Sequence, residues 1–202
     1  MKLDLISDLV SDLINDLLYD LVLKNRSYRR FDEAFEISED TLRELCSFAR
    51  ITPSGANRQV FKFRLTPSGE ECGKVFPALA WAGYLEDGAP IEGERPSAYI
   101  TIVNDNTLGT GNVMDVGIMA QTILLAAAEM GLGGCMIGSI KRKELKETLS
   151  LSEEHDIMLV IALGKPVEKV VIENAKDGDI KYWRDEERVH HVPKRPISEL
   201  II

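Results

Sequence analysis

Cations and hydroxyl donors gather at distant points of this chain in the pattern that a phosphorylated ligand requires. Between Asp20 and Asp32 there is no carboxylate, while Lys24, Arg26, Arg29 and Arg30 crowd together around Ser27. A guanidinium binds phosphate oxygens bidentately, and a serine hydroxyl adds a donor without adding charge. A second cation pair, Lys194-Arg195, stands near the other end of the chain, after Val192-Pro193. A glycine-rich turn, Gly131-Leu132-Gly133-Gly134, lies between them. The chain as a whole carries a formal net charge of -9, so these clusters point to a defined anionic ligand rather than to nucleic acid or an anionic membrane.

Other chemistries find less support. Cys46, Cys72 and Cys135 are odd in number and lack metal-type spacing, which fits reduced thiols in a cytoplasmic protein. Cys135 reads as a buried, inert thiol. His155, His190 and His191 have no matched ligand spacing and read as surface residues, so no metal site is expected. No nucleophile–base set stands in a motif context, and no side chain is assigned as catalytic. Gly131, Gly133 and Gly134 read as the end of a helix, with Gly131 as a left-handed cap. They follow a helix rather than a strand, which sets them apart from a dinucleotide fingerprint.

These residues need elements to position them. Ser38 can cap a helix whose apolar side is Leu42, Leu45, Cys46 and Ala49, and Thr52 to Asn57 breaks it. Val60 to Thr66 alternates Phe61, Phe63 and Leu65 with Lys62 and Arg64, the period of a half-buried strand. A short helix is expected around Glu70 to Ala80 and a strand over Ser97 to Val103. Asp115 to Met130 reads as a nearly all-apolar, central helix. A short strand over Cys135 to Ile137, a helix over Lys141 to Leu149 and an apolar strand over Ile157 to Leu163 follow. Strands interleaved with helices imply a two-layer or three-layer arrangement.

The ends differ from this middle. Residues 4 to 23 repeat Asp-Leu-apolar-x five times. Four residues turn an ideal helix by about 400°, so the apolar stripe winds around the helix and needs burial against the core or a partner. Residues 167–202 are charged and show few periodic apolar stretches, so they are expected to bury little against their own core and to wrap another subunit. At 202 residues with no linker, the chain reads as one domain, with an N-terminal helix over 1–23 and the extension over 167–202. No long uncharged apolar run marks a membrane span.

In four ordered blocks the chain resembles the FMN-dependent nitroreductase family, from about Leu23 to Ile202. The blocks are Asn25 to Phe31, Pro53 to Gln59, Asp115 through Gly138, and Val192 to Arg195. The resemblance implies an α+β fold, with a central mixed sheet flanked by helices and a C-terminal extension wrapping the second subunit of a homodimer. It implies that Arg26, Ser27 and Arg29 hold the ribityl chain and phosphate of FMN, with Lys194 and Arg195 closing from the tail. The family's first basic position in this block is Asn25 here. Pro53, Ser54 and Asn57 would line the flavin from the neighbouring subunit, and Met136, Ile137 and Gly138 would approach its ring with backbone N–H groups. The implied reaction takes hydride from NADH or NADPH and passes it to a nitroaromatic, quinone or enone. The alternatives are a non-catalytic flavin-binding storage or sensor protein, and a specialised relative doing dehalogenation, flavin fragmentation or dehydrogenation.

Overall fold

The computed structural model describes residues 17–202. Residues 17–24 are helical and are the described end of the Asp-Leu repeat; the copies from Asp4 to Asp16 lie outside the described residues. In chain order follow β1 (Phe31–Asp32), α1 (Glu39–Arg50), β2 (Phe61–Thr66), α2 (Glu70–Val75), β3 (Ala98–Asp105), α3 (Val113–Glu129), β4 (Gly133–Ile137), α4 (Arg142–Thr148) and β5 (His155–Pro166). The tail carries β6 (Val170–Asn174), β7 (Trp183–Arg184) and β8 (His190–Lys194).

Local chemistry sets several of these bounds. Ser38 Oγ accepts the Thr41 N–H at 3.1 Å and starts α1, as its sequence position implies. Asn112 Oδ1 accepts the Met114 N–H at 3.0 Å and starts α3 two residues before the expected Asp115. Gly131 follows α3 with φ +74°, the left-handed conformation of a helix cap.

The main sheet has the order β1-β5-β3-β2, with β4 also on β5. The resemblance implies a mixed sheet, and the main sheet's ladders are antiparallel among the described residues. The reason lies in the crossover. β3 and β4, joined by α3, do run parallel to each other, but β5 inserts between them and opposes both. Parallel pairing in this region remains only at the Ser27–Gly134 bridge.

Strand period divides the interior into two faces. Ile100, Ile102, Ile161 and Leu163 meet α1 and α3 on one side. Tyr99, Val160, Ala162, Cys135 and Ile137 meet α2 and α4 on the other. The result is three layers, helix on sheet on helix. Each fully buried Leu or Ile here contributes about 1.5–3 kcal/mol by leaving water. α3 is two-sided. Val116, Ala120, Ile123 and Ala127 are buried, whereas Val113 and Met114 near its start are 68% and 71% exposed.

The tail carries secondary structure of its own. It folds back as a three-stranded sheet, with β8 parallel to β6 and antiparallel to β7. Its order comes from main-chain ladders and ion pairs rather than from a periodic apolar stripe, which is why hydrophobic pattern alone does not reveal it. The last residues, from Lys194 onward, are exposed.

Candidate functional site

Two contacts fix the turn after the first described helix. The Tyr28 N–H donates to the Gly134 carbonyl at 3.0 Å, and the Tyr28 hydroxyl donates to the Lys24 carbonyl at 3.0 Å. The Glu168 carboxylate accepts the backbone N–H groups of Arg29 and, at 3.2 Å, of Arg30. Gly133 and Gly134 do not end the helix, as their spacing after α3 implies, but open β4. A Cβ on Gly133 would lie 2.5 Å from the Tyr28 ring and from Pro166 Cγ, and one on Gly134 would lie 2.5 Å from the Ala162 carbonyl oxygen. These glycines let the cationic turn lie against the sheet.

The turn and the tail then share a cavity of about 310 Å³ lined by Asn25, Arg26, Ser27, Arg29, Tyr182, His190 and Lys194, with Val170 and Val192. Four of the expected phosphate contacts, Arg26, Ser27, Arg29 and Lys194, therefore converge from opposite ends of the chain. Asn25, at the departed basic position, stands in the same wall. The Arg29 guanidinium lies 5.2 Å from the centre of the Tyr182 ring, a cation–π distance that holds it in place. Among the described residues no carboxylate pairs with the side chains of Arg26, Arg29 or Lys194.

Neighbouring cations behave differently. Arg30 is buried between Glu94 and Asp87, the latter at 2.7 Å. Arg184 joins Asp87 at 2.8 Å and the 1% exposed Glu168 side chain at 3.0 Å. Burial pushes the Asp87 carboxyl up, but Arg184 and Arg30 outweigh it and hold the group below its ordinary range. Arg30 thus belongs to the scaffold of the turn. Arg195 pairs with Glu199 at 3.0 Å and does not line the cavity.

His190 overturns the expectation that all three histidines are surface residues. It is 1% exposed, because strand period turns it inward while His191 faces outward. That period was the available signal, but the two flanking valines give it little contrast. Its backbone N–H donates to the Lys169 carbonyl at 2.8 Å and its ring packs edge-on to Tyr182 at 5.4 Å. Burial pulls its pKa down to about 4, against the nearby Glu168, which raises it. The imidazole is therefore neutral near pH 7. His191 instead reaches Asp185 at 3.1 Å and Glu173 at 3.3 Å, which raise its pKa. His155 is half-buried, with Nδ1 3.1 Å from Ser152 Oγ.

Pro53, Ser54 and Asn57 lie elsewhere in the chain. Ser54 lines a smaller cavity of about 150 Å³ with Thr52, Gln59, Phe61, Phe63 and Met119. The loop is held by the residue that opens the third block and to which the sequence assigned no role. Buried Asp115 accepts the Gly55 N–H at 3.1 and 3.0 Å through its two oxygens. Ala56, Asn57 and Gln59 carry φ of 53°, 52° and 48°, left-handed backbone interrupted by Arg58 at φ -67°, and such strained turns need an anchor.

Met136 and Ile137 lie in β4, and Gly138 follows it. Because the Gly134 carbonyl faces Tyr28, strand alternation turns the Met136 N–H to the same outer edge. Cys135 points into the core, where burial pushes its thiol up. No cluster of metal-ligating side chains occurs among the described residues, and no described helix is long and apolar enough to cross a membrane.

Residues 94–165 match the family model described as Nitroreductase family. That segment runs from before β3 to the end of β5 and excludes both cation clusters. A putative NADH dehydrogenase/NAD(P)H nitroreductase of Archaeoglobus fulgidus is 26% identical over 164 residues, covering 77% of this chain and 89% of the relative. An NADPH-flavin oxidoreductase of Vibrio harveyi is 27% identical over 157 residues, covering 72% of this chain and 64% of that protein. A solved nitroreductase family protein from Streptococcus pneumoniae superposes with a TM-score of 0.67 at 15% identity, covering 92% of this chain and 98% of that one.

Proposed function

We propose that this chain, whose residues 94–165 match the nitroreductase family model and whose fold is that of a nitroreductase family protein, is a member of that family and an FMN-dependent oxidoreductase. In this reading it takes hydride from NADH or NADPH and passes it to an electron-poor small molecule such as a nitroaromatic, quinone or enone. The observation that carries the reading is the convergence of Arg26, Ser27, Arg29 and Lys194 on one cavity, with no carboxylate on those cations among the described residues. Three cations around one site fit a single phosphomonoester end. The names of the Archaeoglobus and Vibrio relatives support the nicotinamide and flavin assignments.

When bound, FMN supplies the redox chemistry, and the protein supplies binding, orientation and electrostatics. Arg26, Ser27, Arg29 and Lys194 would hold the phosphate and ribityl end. The outward N–H of Met136 would meet the ring near Ile137 and Gly138, where a preorganised donor stabilises negative charge as it develops. Arg195 would join only if its pair with Glu199 opened.

The working unit in this reading is a homodimer of one-domain chains in the cytoplasm. Its support is an apolar surface on α1 and α3, where Phe48, Ile51, Val113, Met114 and Ile118 are exposed. A second copy covering this face would bring Pro53, Ser54 and Asn57 to the partner's flavin. Heat-releasing the cofactor that the protein carries as purified and identifying it by mass tests the cofactor assignment. Recovery of FMN is expected, and retention of FAD or of no flavin contradicts it.

A further inference from the structure

We infer that His190 is a ligand-binding residue of the cation-lined cavity, its buried imidazole hydrogen-bonding the phosphate of the bound molecule. The inference rests on the phosphomonoester reading above. Both ring nitrogens are buried and have no hydrogen-bond partner among the described residues. Glu168 Oε2 is 3.8 Å from Nδ1, beyond hydrogen-bonding distance. Buried polar atoms are almost always paired, so an orphaned imidazole in the wall of a cavity marks a place for a partner that arrives with a ligand. The other walls define that partner's chemistry. Arg26 and Arg29 stand on the N-terminal turn and Lys194 lies farther along the same strand, all lining the same cavity. Each of these groups only donates, and a neutral imidazole adds one more N–H donor beside them. The acceptor-rich group that satisfies them together is a phosphate.

Riboflavin separates this role from packing, because it shares the ring and ribityl chain of FMN but lacks the phosphate. Flavin fluorescence titrations would compare the full chain with His190→Leu and His190→Gln. His190→Leu is expected to weaken FMN binding about tenfold to a hundredfold, the range for a hydrogen bond to a charged group, and to leave riboflavin within about twofold. His190→Gln, which keeps a donor, is expected to recover most of the loss. Equal losses for both flavins, or no loss for FMN, would overturn the assignment.

Should the substitutions unfold the protein, the unmodified chain still decides the matter. It has three histidines, so ¹⁵N-histidine labelling resolves the ring signals. Inorganic phosphate and FMN are each expected to move the buried His190 ring signal, and riboflavin is not. If no flavin binds at all, the functional reading fails separately. The phosphate titration then tests His190 alone: a ring signal that phosphate leaves in place contradicts the inference.

Discussion

Glu168 Oε2 lies 3.0 Å from Arg184 Nη2, joining the segment after β5 to β7 at the point where the cationic turn is held. The same carboxylate accepts the backbone N–H groups of Arg29 and Arg30, so one side chain couples the folding of the tail to the shape of the N-terminal turn. Glu168→Gln keeps the size of this group but removes its charge. The buried Arg184 retains Asp87, which limits the damage. The expected loss is about 1–3 kcal/mol, the cost of under-satisfying a buried donor. A urea midpoint that does not move would contradict this role.

Arg29→Ala is expected to weaken FMN binding with little change of fold. The guanidinium touches Tyr182 and the Ser27 carbonyl, at 3.2 Å for the latter, but makes no buried ion pair among the described residues. A charge-assisted hydrogen bond is worth about 1.5–3 kcal/mol, so the dissociation constant should rise about tenfold to more than a hundredfold. Fluorescence titration measures the affinity and far-ultraviolet circular dichroism the fold. Unchanged affinity removes Arg29 from the site; affinity lost together with the secondary structure makes it structural.

Acid should destabilise the fold through His190. Burial lowers its pKa from 6.5 to about 4, with Glu168 opposing and Arg29, Arg184 and His191 adding to the depression. Between these two values the unfolded chain binds a proton that the folded chain does not. Stability attributable to this group is therefore present above about pH 6.5 and is lost as pH falls towards 4, by on the order of 3 kcal/mol. His191 acts in the opposite sense, because Asp185 and Glu173 raise its pKa. Comparison with His190→Gln isolates the buried group. The loss of stability from pH 7 to 4.5 should be larger in the unmodified protein, and equal losses would refute the assignment.

The exposed apolar start of α3 should carry the dimer. Met114 is 71% exposed and its neighbour Val113 is 68% exposed, so Met114→Glu leaves the interior untouched. Size-exclusion chromatography with absorbance read at protein and flavin wavelengths should give a dimer that binds FMN for the unmodified chain and a colourless monomer for the variant. A variant that stays dimeric and yellow would place the interface elsewhere.

Local patterns made much of the architecture legible in the sequence. Ser38, the alternation of Phe61, Phe63 and Leu65, and the apolar run of α3 each report on their own element, and each element forms within two residues of its expected bounds. Long-range relations were less visible. Nothing local says that β5 inserts between β3 and β4, and the resulting antiparallel ladders depend on residues far apart. The same holds for the glycines, since Gly131 acts locally while Gly133 is required by Tyr28, over a hundred positions away.

The cation clusters showed four of the residues around the cavity because charge against an acidic background stands out. They did not separate cavity-lining Arg29 from scaffold Arg30, since the difference lies in Asp87 and Glu94, which only the fold brings near. His190 was hidden for a related reason. Its environment is made by Glu168, Tyr182 and the strand pairing of the tail, none of which a charged, weakly periodic segment announces.

Anaerobic mixing of the FMN-loaded protein with NADH and, separately, NADPH tests the central claim most directly, with flavin absorbance near 450 nm as the readout. The account predicts that at least one nucleotide bleaches the flavin and that a quinone or nitroaromatic added afterwards restores the colour. A bound flavin that stays yellow with both nucleotides would contradict the oxidoreductase reading and leave a protein that holds FMN without turning it over.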